Sequence, residues 1–369
     1  MLWRDTKKIK LVVSDFHLGY GRLLDDGSVN LMEDFIYDQK FIEFLRYYSS
    51  GDYQGHQVEL IINGDFFNML QVDVEGKHPT RITEPISVQV IERIMQGHSE
   101  VFDAFREFME SSRHNLAFII GNHDQGMIWP KVQEAIKEKI APSDASIAER
   151  IKFYPHYYSF DGIWVEHGHH CETLCFFDPK NPGIRLKGTP EPVLDLPWAG
   201  YFVIDFLLPM KTERPYIDKI KPFRSYLRWA LLNDTRFAIT TILRLLIFNL
   251  KNRFSLDPHR RKKFSFTWVN IKEASLHNTM ERTARNILIN TNHHTVILGH
   301  NHKVLHKQFL DGKHYFNIGT WNDITSLDVG NLGRATKLTY ALVHYNKDKP
   351  SVHLKQWHGE YRVEDDVTF

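Results

Sequence analysis

At 369 residues the chain has room for two to three domain-sized units, or for one large domain with an insertion. With 42% hydrophobic, 13% aromatic and 25% charged residues it can bury a sizeable core, which excludes collagen-like, low-complexity and predominantly disordered chains. Two cysteines exclude a disulfide framework, and the net charge of +1 hides an asymmetry: between Lys211 and Lys263 fourteen lysines and arginines meet four acidic residues.

In chain order, the opening MLWRDTKKIKLVV lacks a charged-then-apolar leader pattern, and no run of about 18 apolar residues occurs anywhere, so a cytoplasmic location without a spanning helix is expected. Five short apolar runs bounded by Gly, Asn or Asp then punctuate the sequence: Lys10–Ser14, Glu59–Asn63, Ala117–Gly121, Ile163–Glu166 and Thr295–Gly299. Their lack of alternation predicts strands buried on both faces, inside an α/β layered fold. Helical spacing predicts helices over Asp34–Tyr48, Gln89–Met109 and Lys131–Ile140, and further strands are expected over His314–Gly319, Leu338–Tyr345 and Ser351–Trp357. From about Cys171 to Asn290 this rhythm breaks into a proline-rich loop and amphipathic, aromatic-rich segments. The predicted organisation is an α/β core of residues 1–170 and 291–369 interrupted by a basic, mainly helical cap at 171–290. Within it, RFAITTILRLLIFNLK (236–251) puts Arg236, Thr240, Arg244 and Lys251 on one narrow stripe, a pattern that fits an interfacial helix and equally a cap-core helix with one wet edge.

The residues just past each buried strand carry the chemistry. Asp15-Phe16-His17 comes after the first, Gly64-Asp65 after the second, Asn122-His123-Asp124 after the third, His167-Gly168 after the fourth and His300-Asn301-His302 after the fifth. Ligands of α/β sheets bind outside the carboxyl ends of the strands, so five strand ends would deliver these side chains to one rim. One DxH or HxH means little in a chain with 21 histidines; the ordered set does not arise that way. Asp15, His17, Asp65, Asn122, His167, His300 and His302 offer carboxylate, imidazole and carboxamide donors without thiolate, a set suited to Mn²⁺ first, and to Fe or Zn²⁺. Seven ligands are too many for one such metal and fit two that share a carboxylate.

In these blocks the chain resembles the calcineurin-like metallophosphoesterase superfamily. The resemblance covers about 8–170 and 290–345 and implies a double β-sandwich flanked by helices, four layers in the order αββα. It implies that Asp15, His17 and His302 hold one metal, that Asp65 bridges, and that Asn122, His167 and His300 hold the second. His123, paired with and oriented by Asp124, is implied as the outer-sphere histidine facing the scissile phosphate; Asp124 also reads as a helix N-cap. His169 and His170 compete with His167 on position alone. The expected reaction is hydrolysis of a phosphodiester or pyrophosphate: two metals lower the pKa of a bridging water and neutralise the phosphoryl oxygens, while His123 donates a hydrogen bond or proton. GDFFNML replaces the Asp-Arg-Gly of protein serine/threonine phosphatases, which argues against a phosphoprotein substrate.

Two subfamilies are similar. SDFHLG, CETLC after the HG block, the basic insertion and FNIGTW (316–321) resemble UDP-2,3-diacylglucosamine hydrolases, which cleave a lipid-linked pyrophosphate at a membrane surface; those enzymes commonly carry Arg at the position of His123. The expected partners are then a lipid-linked substrate and the anionic inner face of a membrane. The SDxHLG opening, GNHD and GHxH are shared with double-strand-break repair nucleases, for which the basic cap would track a nucleic-acid backbone. A scaffold with a vestigial site is the non-enzymatic alternative. Arg22, Lys77 and Arg81, in loops after the first two metal strands, are candidate clamps for a second phosphate or simply solvated. Asn322 and Asp323 are candidates for the site by position only, and Cys171 and Cys175 read as buried thiols.

Overall fold

The computed structural model describes residues 7–221, 223–265, 279–327, 333–335, 337–359 and 364–366; the remainder, including 266–278 of the predicted cap and the first six residues, lies outside the described residues. The amino-terminal part of the core supplies strands β1 (Lys8–Val13), β2 (Gln57–Asn63), β3 (His114–Ile119), β4 (Ile151–Tyr154), β5 (Tyr157–Phe160) and β6 (Ile163–Glu166). Two-residue strands β7 (Gly183–Ile184), β8 (Val193–Leu194) and β9 (Ile220–Lys221) belong to the insertion. The return to the core brings β10 (Thr295–Leu298), β11 (Val304–Gln308), β12 (His314–Ile318), β13 (Ile324–Ser326), β14 (Gly333–Ala335), β15 (Leu338–Asn346), β16 (Lys349–Trp357) and β17 (Glu364–Asp366).

Two large sheets result, one ordered β17-β16-β15-β1-β2-β3-β4 and one ordered β11-β12-β10-β6-β5, beside a small β14-β13-β9 sheet and a β7-β8 pair. β1, β2, β3 and β4 run parallel in the first sheet, and β6, β10 and β12 run parallel in the second. The side-chain period of two explains why these strands are apolar throughout. Leu11, Val13, Leu60, Ile62, Leu116 and Phe118 face helices, while Val12, Ile61, Ala117 and Ile119 meet Ile163, Val165, Ile297 and Phe316 of the second sheet. The helices on the first sheet are α1 (Asp38–Ser49), α2 (Glu84–Gly97), α3 (Ser99–Met109) and α4 (Pro130–Ile140), and helix Thr279–Asn290 covers the second through Met280, Ala284 and Leu288. The expected four-layer αββα architecture is therefore present.

Three boundaries differ from the expectations, each for a physical reason. The predicted helix at 34–48 begins only at Asp38, because Asp34 is held in an ion-paired network instead. The predicted helix at 89–109 is two helices broken at His98: Gly97 lies so close to the Tyr20 carbonyl that a Cβ there would come within 2.0 Å of the oxygen, and the His98 ring is caught between Asp38 and Glu33. The third is at the end of the predicted 171–290 cap, where helix Thr279–Asn290 packs on the second core sheet. The insertion has its own apolar cluster, built around Leu196, Tyr201, Phe206, Met210, Phe237, Phe248 and Phe264 and seated on Leu70 and Ile82 of the core.

Candidate metal centre

Strands β1, β2 and β3 of the first sheet and β6 and β10 of the second end at a common rim, where their loops are laced by backbone hydrogen bonds. The amides of Phe16 and His17 donate to the Asp65 carbonyl at 3.0 and 2.9 Å, and the Gly299 amide donates to the His167 carbonyl at 2.9 Å. Asp15, His17, Asp65, His300 and His302 all adopt φ between +50° and +71°. Non-glycine residues rarely enter this left-handed region, and each such excursion costs of order 1 kcal/mol or more, so five at one rim mark a site that the surrounding fold over-determines. The glycines beside them permit the close approach: a Cβ on Gly64 would sit 2.5 Å from the His167 ring, and one on Gly121 2.2 Å from Asp65 Oδ1.

The side chains gather into two overlapping groups. In one, His302 Nε2 is 3.3 Å from Asp15 Oδ1 and 3.2 Å from His17 Nε2. In the other, His167 Nε2 is 3.1 Å from Asp65 Oδ2, and His300 completes a set with them. Asp65 belongs to both neighbourhoods, its Oδ2 also lying 3.9 Å from His17 Nε2. Asn122 Oδ1 is buried without a partner, and Asp15 Oδ1 and His167 Nε2 are buried with no partner in hydrogen-bond geometry beyond the His302 and Asp65 approaches just given. A buried polar atom left unpaired costs about 1–3 kcal/mol, so three converging ones fit a cation that accepts their lone pairs. The electrostatics agree. Burial alone would raise both carboxyls, yet His167, with His302 beside Asp15 and His123 beside Asp65, holds Asp15 below and Asp65 well below the usual carboxylate range. Against burial, Asp65 and Asp15 in turn push His167 up to about 10, so the rim is organised to stabilise positive charge at its centre.

A cavity of about 240 Å³ opens over this rim. His17, Asp65, Asn122, His123, His300 and His302 line its floor, with Asn322 and Asp323 at one side. Its roof comes from the insertion: Ala199, Phe202, Val203, Leu207 and Leu208 are apolar, and Asp218 and Lys219 are charged. His167 is the member of the HGHH run that reaches Asp65; His169 stacks on Phe177 at 4.9 Å, and His170 turns toward Glu166.

Two expectations need correction. Asp124 does not orient His123. Its carboxylate accepts from the amides of Gly121 (2.6 Å) and Phe66 (2.9 Å), tying the β3 loop to the β2 loop, and its side chain caps no helix amide. The orienting residue is Asn68, whose Oδ1 lies 3.0 Å from His123 Nδ1. Because Asn68 Nδ2 donates to Asp34 Oδ2 and Gln71 Oε1, its oxygen must be the atom facing the imidazole, which places the proton on Nδ1. Arg22, Lys77 and Arg81 are exposed and none lines the cavity; Arg22 borders a separate groove beside Arg93 and His98, and Lys77 pairs with Val74 in a turn.

The basic groups at the site come instead from the insertion. Lys211, fully buried, contacts Asp34 Oδ1 at 3.0 Å, Gln71 Oε1 at 2.9 Å and Asp218 Oδ2 at 2.6 Å, and Lys219 Nζ lies 3.4 Å from Asp34. Burial would raise the Asp34 carboxyl, but Lys211 and then Lys219 hold it down at about 2. Nothing in the sequence distinguishes these two lysines from the other basic residues around them. Asn68 was open to detection, since it stands three residues past Asp65 in GDFFN.

No family model and no curated protein matches the chain. Among solved structures, it is similar to a dimetal phosphatase from Danio rerio at 10% identity, with 99% of each chain covered and a TM-score of 0.37. A Vps29 variant from Entamoeba histolytica aligns at 12% identity over 98% of this chain and 99% of the other, with a TM-score of 0.31. A predicted phosphoesterase from Streptococcus pneumoniae aligns at 10% identity over 98% and 97%, with a TM-score of 0.27. The functional reading therefore rests on the chain's own residues.

Proposed function

We propose that the chain is a dinuclear-metal phosphohydrolase that cleaves a phosphodiester or pyrophosphate bond in an amphipathic, lipid-linked substrate such as UDP-2,3-diacylglucosamine. The observation that carries the hydrolase reading is the convergence of Asp15, His17, Asp65, Asn122, His167, His300 and His302 from five strand ends, with three buried donor atoms among them that lack a well-formed hydrogen bond. Asp15, His17 and His302 would hold one divalent cation and Asn122, His167 and His300 the other, with Asp65 between. When bound, such a pair supplies an activated water and neutralises charge on the phosphoryl oxygens. With Nδ1–H engaged by Asn68, Nε2 is the ring nitrogen of His123 that remains for a phosphoryl or leaving-group oxygen in the cavity it lines. Lys219, also lining the cavity, adds a positive charge for a phosphate.

The amphipathic substrate is supported by the roof and by the outer surface of the insertion. Polar floor and apolar roof match a molecule with a phosphate at one end and hydrocarbon at the other. On helix Thr235–Arg253, Phe237, Ala238, Thr241, Phe248 and Asn252 are buried, whereas Ile239, Ile242, Leu243, Leu246, Ile247 and Leu250 form an exposed face, with Leu232, Phe254 and Leu256 exposed nearby. Burying a fully exposed side chain of this kind gains about 1.5–3 kcal/mol, and those of the helix face, roughly half exposed, gain a part of that, which favours docking on the anionic inner face of a membrane, helped by the exposed Arg236 and Lys251. No helix among the described residues is long and apolar enough to cross a bilayer. A nuclease is the second reading, favoured by the shared SDxHLG, GNHD and GHxH motifs and by the basic composition of the insertion, though Arg214, Arg244, Arg260 and Lys263 there are paired within the chain. Hydrolysis of UDP-2,3-diacylglucosamine in mixed micelles, compared with single- and double-stranded DNA, tests the choice. Turnover of the lipid substrate alone supports the proposal; cleavage of DNA alone replaces it.

A further inference from the structure

A second set of metal-type side chains stands on the other side of β6. Glu166 and His167 are consecutive at the end of that strand, and consecutive residues of an extended chain point to opposite faces. His167 enters the rim already described, so Glu166 points away from it, toward His156 in the turn between β4 and β5 and His170 in the short turn after β6.

We propose that His156, Glu166 and His170 form an additional, zinc-type divalent cation site. Glu166 Oε1 lies 3.2 Å from His156 Nε2 and 3.5 Å from His170 Nδ1, and one atom from each of the three residues lies within 4.8 Å of the others. Zinc with nitrogen and oxygen ligands at 2.0–2.1 Å in tetrahedral geometry has ligand–ligand edges of about 3.3 Å, which these two distances bracket. The other carboxylate oxygen, Oε2, accepts from Trp164 Nε1 at 3.0 Å, which fixes the group with Oε1 turned to the imidazoles, the kind of outer support that metal-binding carboxylates have. The independent sign of a missing ligand is His170: its side chain is 7% exposed, yet Nε2 has no partner and Nδ1 has only the long 3.5 Å approach to Glu166 Oε1, outside hydrogen-bond geometry. A purely structural histidine so deeply buried would be expected to make at least one well-formed hydrogen bond. His156 is 38% exposed, so the site has an open side for entry and for a water as fourth ligand. A cation here would clamp the turn that carries His167 without touching substrate.

The site is tested apart from the dinuclear rim by using the full chain carrying Asp65→Ala, His300→Ala and His302→Ala, which breaks both rim groups, loaded with Zn²⁺, dialysed and measured for metal by mass spectrometry. One zinc per chain is expected, falling to none when His170→Ala or His156→Ala is added, while His156→Cys, which replaces one zinc ligand by another, restores it. Cobalt(II) in place of zinc should give tetrahedral visible absorption in the background chain and lose it with His170→Ala. If the background variant fails to fold, the natural chain serves, and His170→Ala must lower its zinc content by one equivalent. Zinc content and cobalt spectrum unchanged by both His156→Ala and His170→Ala would overturn the proposal. Failure of the dinuclear reading would look different: Asp65→Ala and His300→Ala would then leave the metal content of the natural chain unchanged.

Discussion

The core rim and the insertion fail to satisfy themselves in opposite ways. At the rim, polar atoms are buried without a well-formed hydrogen bond: Asp15 Oδ1, Asn122 Oδ1 and His167 Nε2. In the insertion, several basic side chains find acidic partners within the chain while one apolar helix face is left exposed. Arg214 pairs with Asp234, Arg244 with Glu213 at 2.7 Å, Arg260 with Asp205, Lys263 with Asp195 and Lys211 with Asp34, yet the Ile239–Leu250 face stays in solvent. An unpaired buried donor calls for a cation or substrate atom; an uncovered apolar helix face calls for an apolar partner. Local charge counts therefore mislead: part of the basic segment serves as internal ties, and its exposed helix face is apolar beside the exposed Arg236 and Lys251.

His123→Ala strikes hardest at the rim half of this contrast. It should cost ~10²–10⁴-fold in kcat on a small soluble phosphodiester while leaving the metal content unchanged, because the proposed role is outer-sphere. Since His17, Asp65 and His123 also offer atoms within 4.8 Å of one another, loss of metal in this variant would make His123 a ligand and redraw the division of roles. Asn68→Ala should cost less, about 10–100-fold, and should shift the pH profile of kcat, since the imidazole loses the group that fixes its tautomer.

The next effect concerns stability around the groove next to the rim. The His98 ring lies 2.6 Å from Asp38 and 3.5 Å from Glu33, and Glu33 also holds the amides of Gly19 and Gly21 just past the first motif. Burial would lower His98, but the hydrogen bonds to Asp38 and Glu33 push it up to about 9. A folded-state pKa above the unfolded value of about 6.5 means that this stabilisation is complete below pH ~6.5 and is lost as pH rises through about 9. Denaturant titrations across that window should show a loss of up to roughly 3 kcal/mol that His98→Gln abolishes; an unchanged pH slope in the variant would refute it.

A smaller effect is expected at the insertion. Arg236→Glu with Lys251→Glu should weaken binding to anionic vesicles by about 1 kcal/mol per charge removed, and Leu243→Ser with Ile247→Ser should weaken it in a way that salt does not mimic. Hydrolysis of a small soluble phosphodiester should persist in both. Arg244 is not a useful target, since it is committed to Glu213. Vesicle binding indifferent to all four changes would mean that something other than a membrane covers this face.

Much of the core was legible because its signals are local. A strand buried on both faces is apolar throughout, and the candidate ligands stand within a few residues of such strands, so Asp15, His17, Asp65, Asn122, His167, His300 and His302 could be read in order and the structure brings them together. What escaped is set by tertiary contact. Asp124 sits beside His123 in sequence, yet its carboxylate meets the amides of another loop. The break at His98 comes from the approach of Tyr20, and the importance of Lys211 comes from Asp34, 177 positions earlier. The helix at 235–253 carried one pattern compatible with two environments, and the structure shows both a buried face and an exposed apolar one.

Whether the rim works through bound cations is decided by stripping the purified chain of metal with a chelator and adding Mn²⁺ back while following hydrolysis of bis(4-nitrophenyl) phosphate. The stripped chain should be inactive and regain turnover as Mn²⁺ is restored, whereas Asp65→Ala should regain none. A stripped chain that hydrolyses the ester as fast as the loaded one, or an Asp65→Ala chain that recovers fully, would contradict the account.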